Sequence, residues 1–172
     1  MGVLDLIKAR RSVRAYKSEP VPEEVLARVM EAARLAPSGK NLQPWKFILV
    51  RDVDKKQQLA EASRGQYFMA EAPLIVVACG FPDRCYQRQG NYMTSWPIDV
   101  SIAVDHLMLQ AQEEGLGTCW IGAFEETAVK ALLDIPESVR VLALTPLGYP
   151  DEFPPDRGRR DLDKIVCYER FM

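Results

Sequence analysis

Six consecutive residues near the middle of the chain, Leu74, Ile75, Val76, Val77, Ala78 and Cys79, are all apolar. The run is rich in Val and Ile, whose branched side chains suit a pleated strand better than a helix. It does not alternate with polar residues, so it reads as a central strand rather than one with a face in water. It is far short of the roughly 18 apolar residues a membrane-spanning helix needs.

The rest of the chain supplies helices and three further short strands. Val3, Leu4 and Ile7 make a first helix that runs into Arg10 and Arg11. Val25, Val29, Ala32 and Ala36 give the stripe of a second, which stops before Pro37. Asp52 is placed to cap a helix over residues 53–64, and a shorter helix follows, closed by Pro73. Residues 46–51, 118–121 and 140–148 read as strands, and residues 125–133 as a helix. The longest helix covers about residues 98–114. Its Ile102, Ala103, Leu107, Leu109 and Ala111 imply that more than one of its faces is buried, and Gly115 and Gly117 end it. Residues 80–97 read as a long loop, the kind that often carries function. At 172 residues the chain fits one α/β domain, since domains usually run to about 100–200 residues. After Tyr149, Pro150, Pro154 and Pro155 lead through a basic stretch to a last apolar run at 165–168. This arm either docks on a partner subunit or lies across its own domain, and composition alone leaves both open.

A formal net charge of −2 argues against a general nucleic-acid binder. The four cysteines and the one histidine, His106, are not clustered as zinc or iron–sulfur ligands would be. Cys79, Cys119 and Cys167 sit in apolar runs and are expected to be buried, whereas Cys85, in a polar loop, is expected to be exposed. The thiols and the lack of a secretory or membrane segment point to a soluble, cytoplasmic protein.

Three segments carry candidate chemistry. Arg10, Arg11, Ser12 and Arg14 form the densest positive cluster, a set of guanidinium forks around a hydroxyl that suits a phosphate. A solvated helix end is the plainer account. A second basic group, Arg157, Arg159 and Arg160, either converges with the first on one anion or is unrelated surface charge. Pro37, Ser38, Asn41 and Gln43 surround a turn whose polar side chains can read the rim of a flat heterocycle or cap local backbone. Gly115 to Ala123 place glycines on both sides of a short apolar strand. Exposed N–H groups there can donate to a ring nitrogen, and a helix cap followed by a buried strand explains the same residues.

In this order and spacing the segments resemble the nitroreductase family of flavoproteins. The likeness rests on Arg10-Arg11-Ser12-x-Arg14, on Ala36-Pro37-Ser38-x-x-Asn41-x-Gln43-Pro44-Trp45, and on the long helix from Asp99 with its exit Gly115 to Gly122. Gly148-Tyr149-Pro150 and the C-terminal basic stretch complete it. The resemblance implies an α+β three-layer sandwich, a mainly antiparallel sheet flanked by helices, with the C-terminal arm exchanged in a homodimer. It implies FMN at the subunit interface, its phosphate held by Arg10, Arg11 and Ser12 and completed by Arg159 or Arg160. Arg14 would reach the ribityl chain or pyrimidine edge, and Pro37, Ser38 and Asn41 would come from the other subunit. Trp120, Ile121, Gly122 and Ala123 would line one face of the ring, with Gln66 as a further polar contact.

By the same resemblance, NADH or NADPH would reduce the flavin and a nitroaromatic, quinone or similar small flat acceptor would reoxidise it, in ping-pong order with no protein nucleophile or base. Other acceptors such as an enone or a halogenated phenol, or a flavin-binding storage or sensor protein without turnover, are the alternatives. Tyr86, Tyr92 and Trp96 in the 80–97 loop would form an aromatic substrate wall or pack on the partner.

Overall fold

The computed structural model describes residues 2–171. Its elements in chain order are α1 (Val3–Ala9), α2 (Glu23–Arg34), β1 (Trp45–Val50), α3 (Val53–Ala62), α4 (Phe68–Glu71) and β2 (Leu74–Gly80). They continue with α5 (Trp96–Glu113), β3 (Gly117–Thr118), α6 (Glu126–Leu132) and β4 (Arg140–Gly148). The four strands form one sheet in the order β1-β2-β4-β3, and every neighbouring pair is antiparallel.

Strand β2 organises the molecule because it is buried along its whole length. Successive side chains of a strand point to opposite faces. Ile75, Val77 and Cys79 accordingly join one core with Leu59 of α3, Met69 of α4 and Val129 of α6. Leu74, Val76 and Ala78 join a second core with Leu26 and Val29 of α2 and Val100, Val104 and Leu107 of α5. The result is a sheet between two helical layers. Asp52 caps α3 as expected, accepting the Lys55 N–H at 2.9 Å.

Helix α5 buries one broad stripe through Val100, Ala103, Val104, Leu107, Met108 and Ala111. Its second apolar face is only partly covered by this chain: Ile98 is exposed, and Ile102 and Leu109 are half-buried. Helix α1 buries nothing, and Val3, Leu4 and Ile7 all face outward.

Four expectations are corrected. The strand after α5 is two residues long, not four, because Ile121 rejoins the sheet only as an isolated bridge to Leu144. Residues 80–97 are more ordered than a loop: a 3-10 turn spans Pro82–Arg84, Gln89 bridges Met93, and α5 already begins at Trp96. Cys85 is buried in that turn, its thiol on the Pro82 carbonyl at 3.2 Å. Cys167 is exposed, because the apolar run at 165–168 forms no strand on its own chain.

Candidate active site

After α1 the chain runs extended along the edge of the sheet. Val13 donates its N–H to the Thr118 carbonyl at 2.9 Å, and Ser12 pairs with Thr118 in parallel. Gly117 lets this segment lie close, since a Cβ there would sit 2.9 Å from both Cβ and Cγ2 of Val13. On its other side the segment carries the start of the C-terminal arm. Lys17 N–H donates to the Tyr149 carbonyl and Asp151 N–H to the Ala15 carbonyl, both at 2.9 Å. The buried Tyr16 hydroxyl donates to the Val13 carbonyl at 2.7 Å. Burial drives that phenol far above its ordinary pKa, so it stays a neutral donor.

This pairing brings the two basic clusters together. Arg10, Arg11, Ser12 and Arg14 from one end, and Arg157 and Arg159 from the other, line a single cavity of about 160 Å³, with Pro154, Pro155 and Asp156 completing its wall. Five guanidinium groups thus face one carboxylate. Asp156 lies 3.4 Å from Arg11, and the Gly158 N–H together with Arg11 holds its carboxyl below the usual range. Arg160 does not line the cavity, while Arg157, part of the second basic group but outside the phosphate set that the resemblance implied, does. Arg14 sits at the rim: its backbone N–H donates to Glu152, and its guanidinium lies 6.0 Å from the centre of the Phe68 ring.

From Thr118, the partner of Ser12, the chain leaves β3 through Trp120, Ile121, Gly122 and Ala123. Trp120 is 39% exposed, and Gly122 and Ala123 are exposed. Ile121 departs from the expectation: its side chain is in the core and both its backbone groups bond to Leu144, at 2.9 and 3.0 Å. Gln66 reaches the same segment, donating its amide to the Ala123 carbonyl at 3.2 Å and to the Ser63 carbonyl at 2.8 Å. Cys119 lies behind Ser12, its thiol pushed up by burial against the opposing charge of Arg14.

Pro37, Ser38 and Asn41 lie elsewhere. Their loop is fastened to the start of α5, where Gly39 N–H donates to Asp99 at 2.9 Å. The arginine segment is fastened to the chain just beyond the other end of α5. An 18-residue helix is roughly 27 Å long, so the two groups of residues stand at opposite ends of it.

The sequence model of the Nitroreductase family matches residues 7–68 and 63–149. The chain belongs to the nitroreductase family. A protein of Methanothermobacter thermautotrophicus named "Putative NADH dehydrogenase/NAD(P)H nitroreductase" is 34% identical over 169 residues, covering 96% of this chain and 86% of its own. An iodotyrosine deiodinase of Thermotoga neapolitana is 30% identical over 192 residues, covering 97% of each chain. Among solved structures, an FMN-dependent nitroreductase of Clostridium difficile R20291 superposes with a TM-score of 0.81 at 31% identity, over 98% of this chain and 99% of its own. Nitroreductase-family neighbours thus share the helix-flanked antiparallel sheet, as the sequence resemblance implied. Among the described residues, no helix is long and apolar enough to cross a membrane, and no cluster of side chains could hold a metal ion.

Proposed function

We propose that this nitroreductase-family protein is a cytoplasmic FMN-dependent NAD(P)H oxidoreductase that works as a homodimer on flat acceptors such as nitroaromatics and quinones. The observation that carries the reading is the five-arginine cavity, built on a segment whose Ser12 pairs with Thr118, two residues before the exposed Trp120, Gly122 and Ala123 begin. The donor set fits the group: guanidinium forks and the Ser12 hydroxyl match a phosphate monoester. A Cβ on Gly122 would touch nothing but the Trp120 indole, so backbone there is open to a ring plane.

Bound FMN would supply the hydride chemistry, and the protein would supply position and electrostatics. Arg10, Arg11, Ser12, Arg157 and Arg159 would hold the phosphate. Arg14, kept at the rim by Glu152 and Phe68, would place a cation where negative charge develops on the reduced ring. Backbone of Gly122 and Ala123, fixed by Gln66, would line the ring. The reductant and then the acceptor would occupy the same open face in turn.

The separation along α5 supports a site shared between two chains. If Ser38 and Asn41 contact the cofactor held at Arg10, they belong to a second copy. The uncovered apolar surface supports the same arrangement: Val3, Leu4 and Ile7 of α1, Ile98 of α5, and Phe153, Leu162 and Ile165 of the arm are all exposed. The end of the arm beyond Arg159, unburied on its own chain at Leu162, Ile165 and Tyr168, would exchange onto the partner. A halogenated phenol is a second acceptor class, favoured by the deiodinase relative.

The test is the visible spectrum of the purified protein with acid release of the pigment, followed by NADH and NADPH oxidation against a quinone, a nitroaromatic and an iodophenol. FMN near one per chain with turnover supports the reading. FMN without turnover makes the protein a binder. A colourless protein that takes up no FMN removes the proposal.

A further inference from the structure

The loop that carries Ser38 and Asn41 meets the 80–97 segment around Lys40 and Tyr86, two side chains that the proposed cofactor site leaves unused. Its backbone is held in a costly form: Lys40, Asn41 and Gln43, none of them glycine, have φ of 52°, 57° and 48°. Three side chains, Asp99, Ser95 and Ser38, fasten it there. The buried Asp99 accepts the Gly39 N–H on Oδ1 at 2.9 Å and the Ser95 hydroxyl on Oδ2 at 2.6 Å. Ser95 in turn accepts the Tyr86 N–H at 3.1 Å and donates its own N–H to the Tyr86 carbonyl at 2.8 Å. Ser38 closes the loop by accepting the Gln43 N–H at 2.9 Å.

The consequence is a fixed pair of side chains. Gly39 lies so close to Tyr86 that a Cβ on it would sit 2.9 Å from the tyrosine Cβ. The Lys40 ammonium then stands 5.2 Å over the Tyr86 ring. Among the described residues, Lys40 has no carboxylate within ion-pairing range, and both oxygens of the neighbouring Asp99 are already committed. Arg88, exposed two residues beyond Tyr86, forms no ion pair among the described residues either. An ammonium without a carboxylate partner is free to form a charge-assisted hydrogen bond to an anion, and the ring beside it offers apolar surface to an aromatic ligand.

We propose that Lys40 and Tyr86 form the acceptor-reading edge of the site, and that the preferred acceptor is a flat aromatic compound carrying a carboxylate or another anionic group. The anion meets the Lys40 ammonium, with Arg88 adding positive potential, and the aromatic ring lies against Tyr86. This rests on the function proposed above, in which the Ser38–Asn41 loop of one chain borders the flavin held by the other. The cluster then stands beside that flavin's open face.

The experiment compares 4-nitrobenzoate with its methyl ester, using NADH as the fixed reductant, in the holoenzyme and in Lys40→Gln and Lys40→Arg. FMN content is measured in each. The expected result is a ratio of kcat/KM for carboxylate over ester that falls about ten- to a hundredfold in Lys40→Gln and largely returns in Lys40→Arg. An unchanged ratio overturns the inference. A loss shared equally by acid and ester and accompanied by a raised KM for NADH also overturns it, because Lys40 then reads the reductant. A wild-type protein without FMN fails the functional reading itself, whereas an FMN-loaded enzyme indifferent to the carboxylate fails only this inference.

Discussion

Replacing Gly117 by alanine tests whether the arginine segment depends on its close fit to β3. The new Cβ would lie 2.9 Å from Cβ and Cγ2 of Val13 and 3.0 Å from its Cγ1. Carbon pairs settle near 3.5–4.0 Å, so each contact is short by about 0.5 Å or more. Val13 is buried and branched at Cβ, so rotating it relieves little. The segment has to move outward instead, stretching the Val13–Thr118 hydrogen bond and displacing Arg10, Arg11 and Arg14 from their cavity. Overpacking of this kind costs about 1–3 kcal/mol. For a domain of this size each kcal/mol lowers Tm by roughly 2–4 °C. The apo-protein is expected to melt several degrees lower. Its FMN affinity, read by quenching of flavin fluorescence, is expected to fall about tenfold, equivalent to about 1.4 kcal/mol. Adding Val13→Ala removes two of the three contacts and should restore part of both losses. If Gly117→Ala changes neither Tm nor affinity, or if Val13→Ala only adds further loss, the packing argument is wrong.

Two other perturbations separate near neighbours or exploit pH. Arg157→Ala should weaken FMN binding about ten- to a hundredfold in equilibrium dialysis, while Arg160→Ala, outside the cavity, should leave it nearly unaltered; the reverse order would misassign the cage. Partial burial alone would raise the Glu126 carboxyl, but the Arg140 side chain at 2.9 Å and the Val141 N–H at 2.8 Å, with Lys130 nearby, outweigh it and hold the group below its ordinary value. The stability it contributes is therefore present above the unfolded carboxylate's pKa, about 4.3, and lost as pH falls through the lower folded value. Glu126→Gln should be less stable than wild type at pH 7 and lose less stability on acidification in urea titrations; an unchanged acid slope would contradict this.

What was legible in the sequence was what local pattern controls. The unbroken run at 74–79 announced a strand between two layers, and it sends alternate residues into two cores. The breaks at Pro37 and Pro73 and the cap at Asp52 placed helix ends well. What depends on chain segments distant in sequence was not legible. Nothing in Arg10–Arg14 or Arg157–Arg159 says that they share a cavity; that follows from Tyr16 pairing with Pro150, which turns the arm back over the N-terminal segment. The same turn places Arg157 inside and Arg160 outside, a distinction of three residues that charge pattern cannot make. The family resemblance set Ile121 among the residues lining the ring, yet its bridge to Leu144 draws its side chain into the core, which only the distant strand β4 decides. Cys85 misled through its polar neighbours, since a tight turn onto the Pro82 carbonyl buries it. The exposed apolar residues of α1, α5 and the arm are the converse case: their apolar patterning suggests burial, and on this chain they are exposed.

The central claim, a cofactor site built by two chains, has a direct test in a mixed dimer. One differently tagged subunit carries Arg10→Ala with Arg157→Ala, the other carries Ser38→Ala with Asn41→Ala, and each variant homodimer first serves as a control for lost FMN. In a shared-site dimer both defects fall in one site and leave the other intact. Purified mixed dimers are then predicted to hold one tightly bound FMN per dimer. If each chain built its own site, both sites would carry a defect, and mixed dimers that retain no more FMN than the variant homodimers would contradict the account.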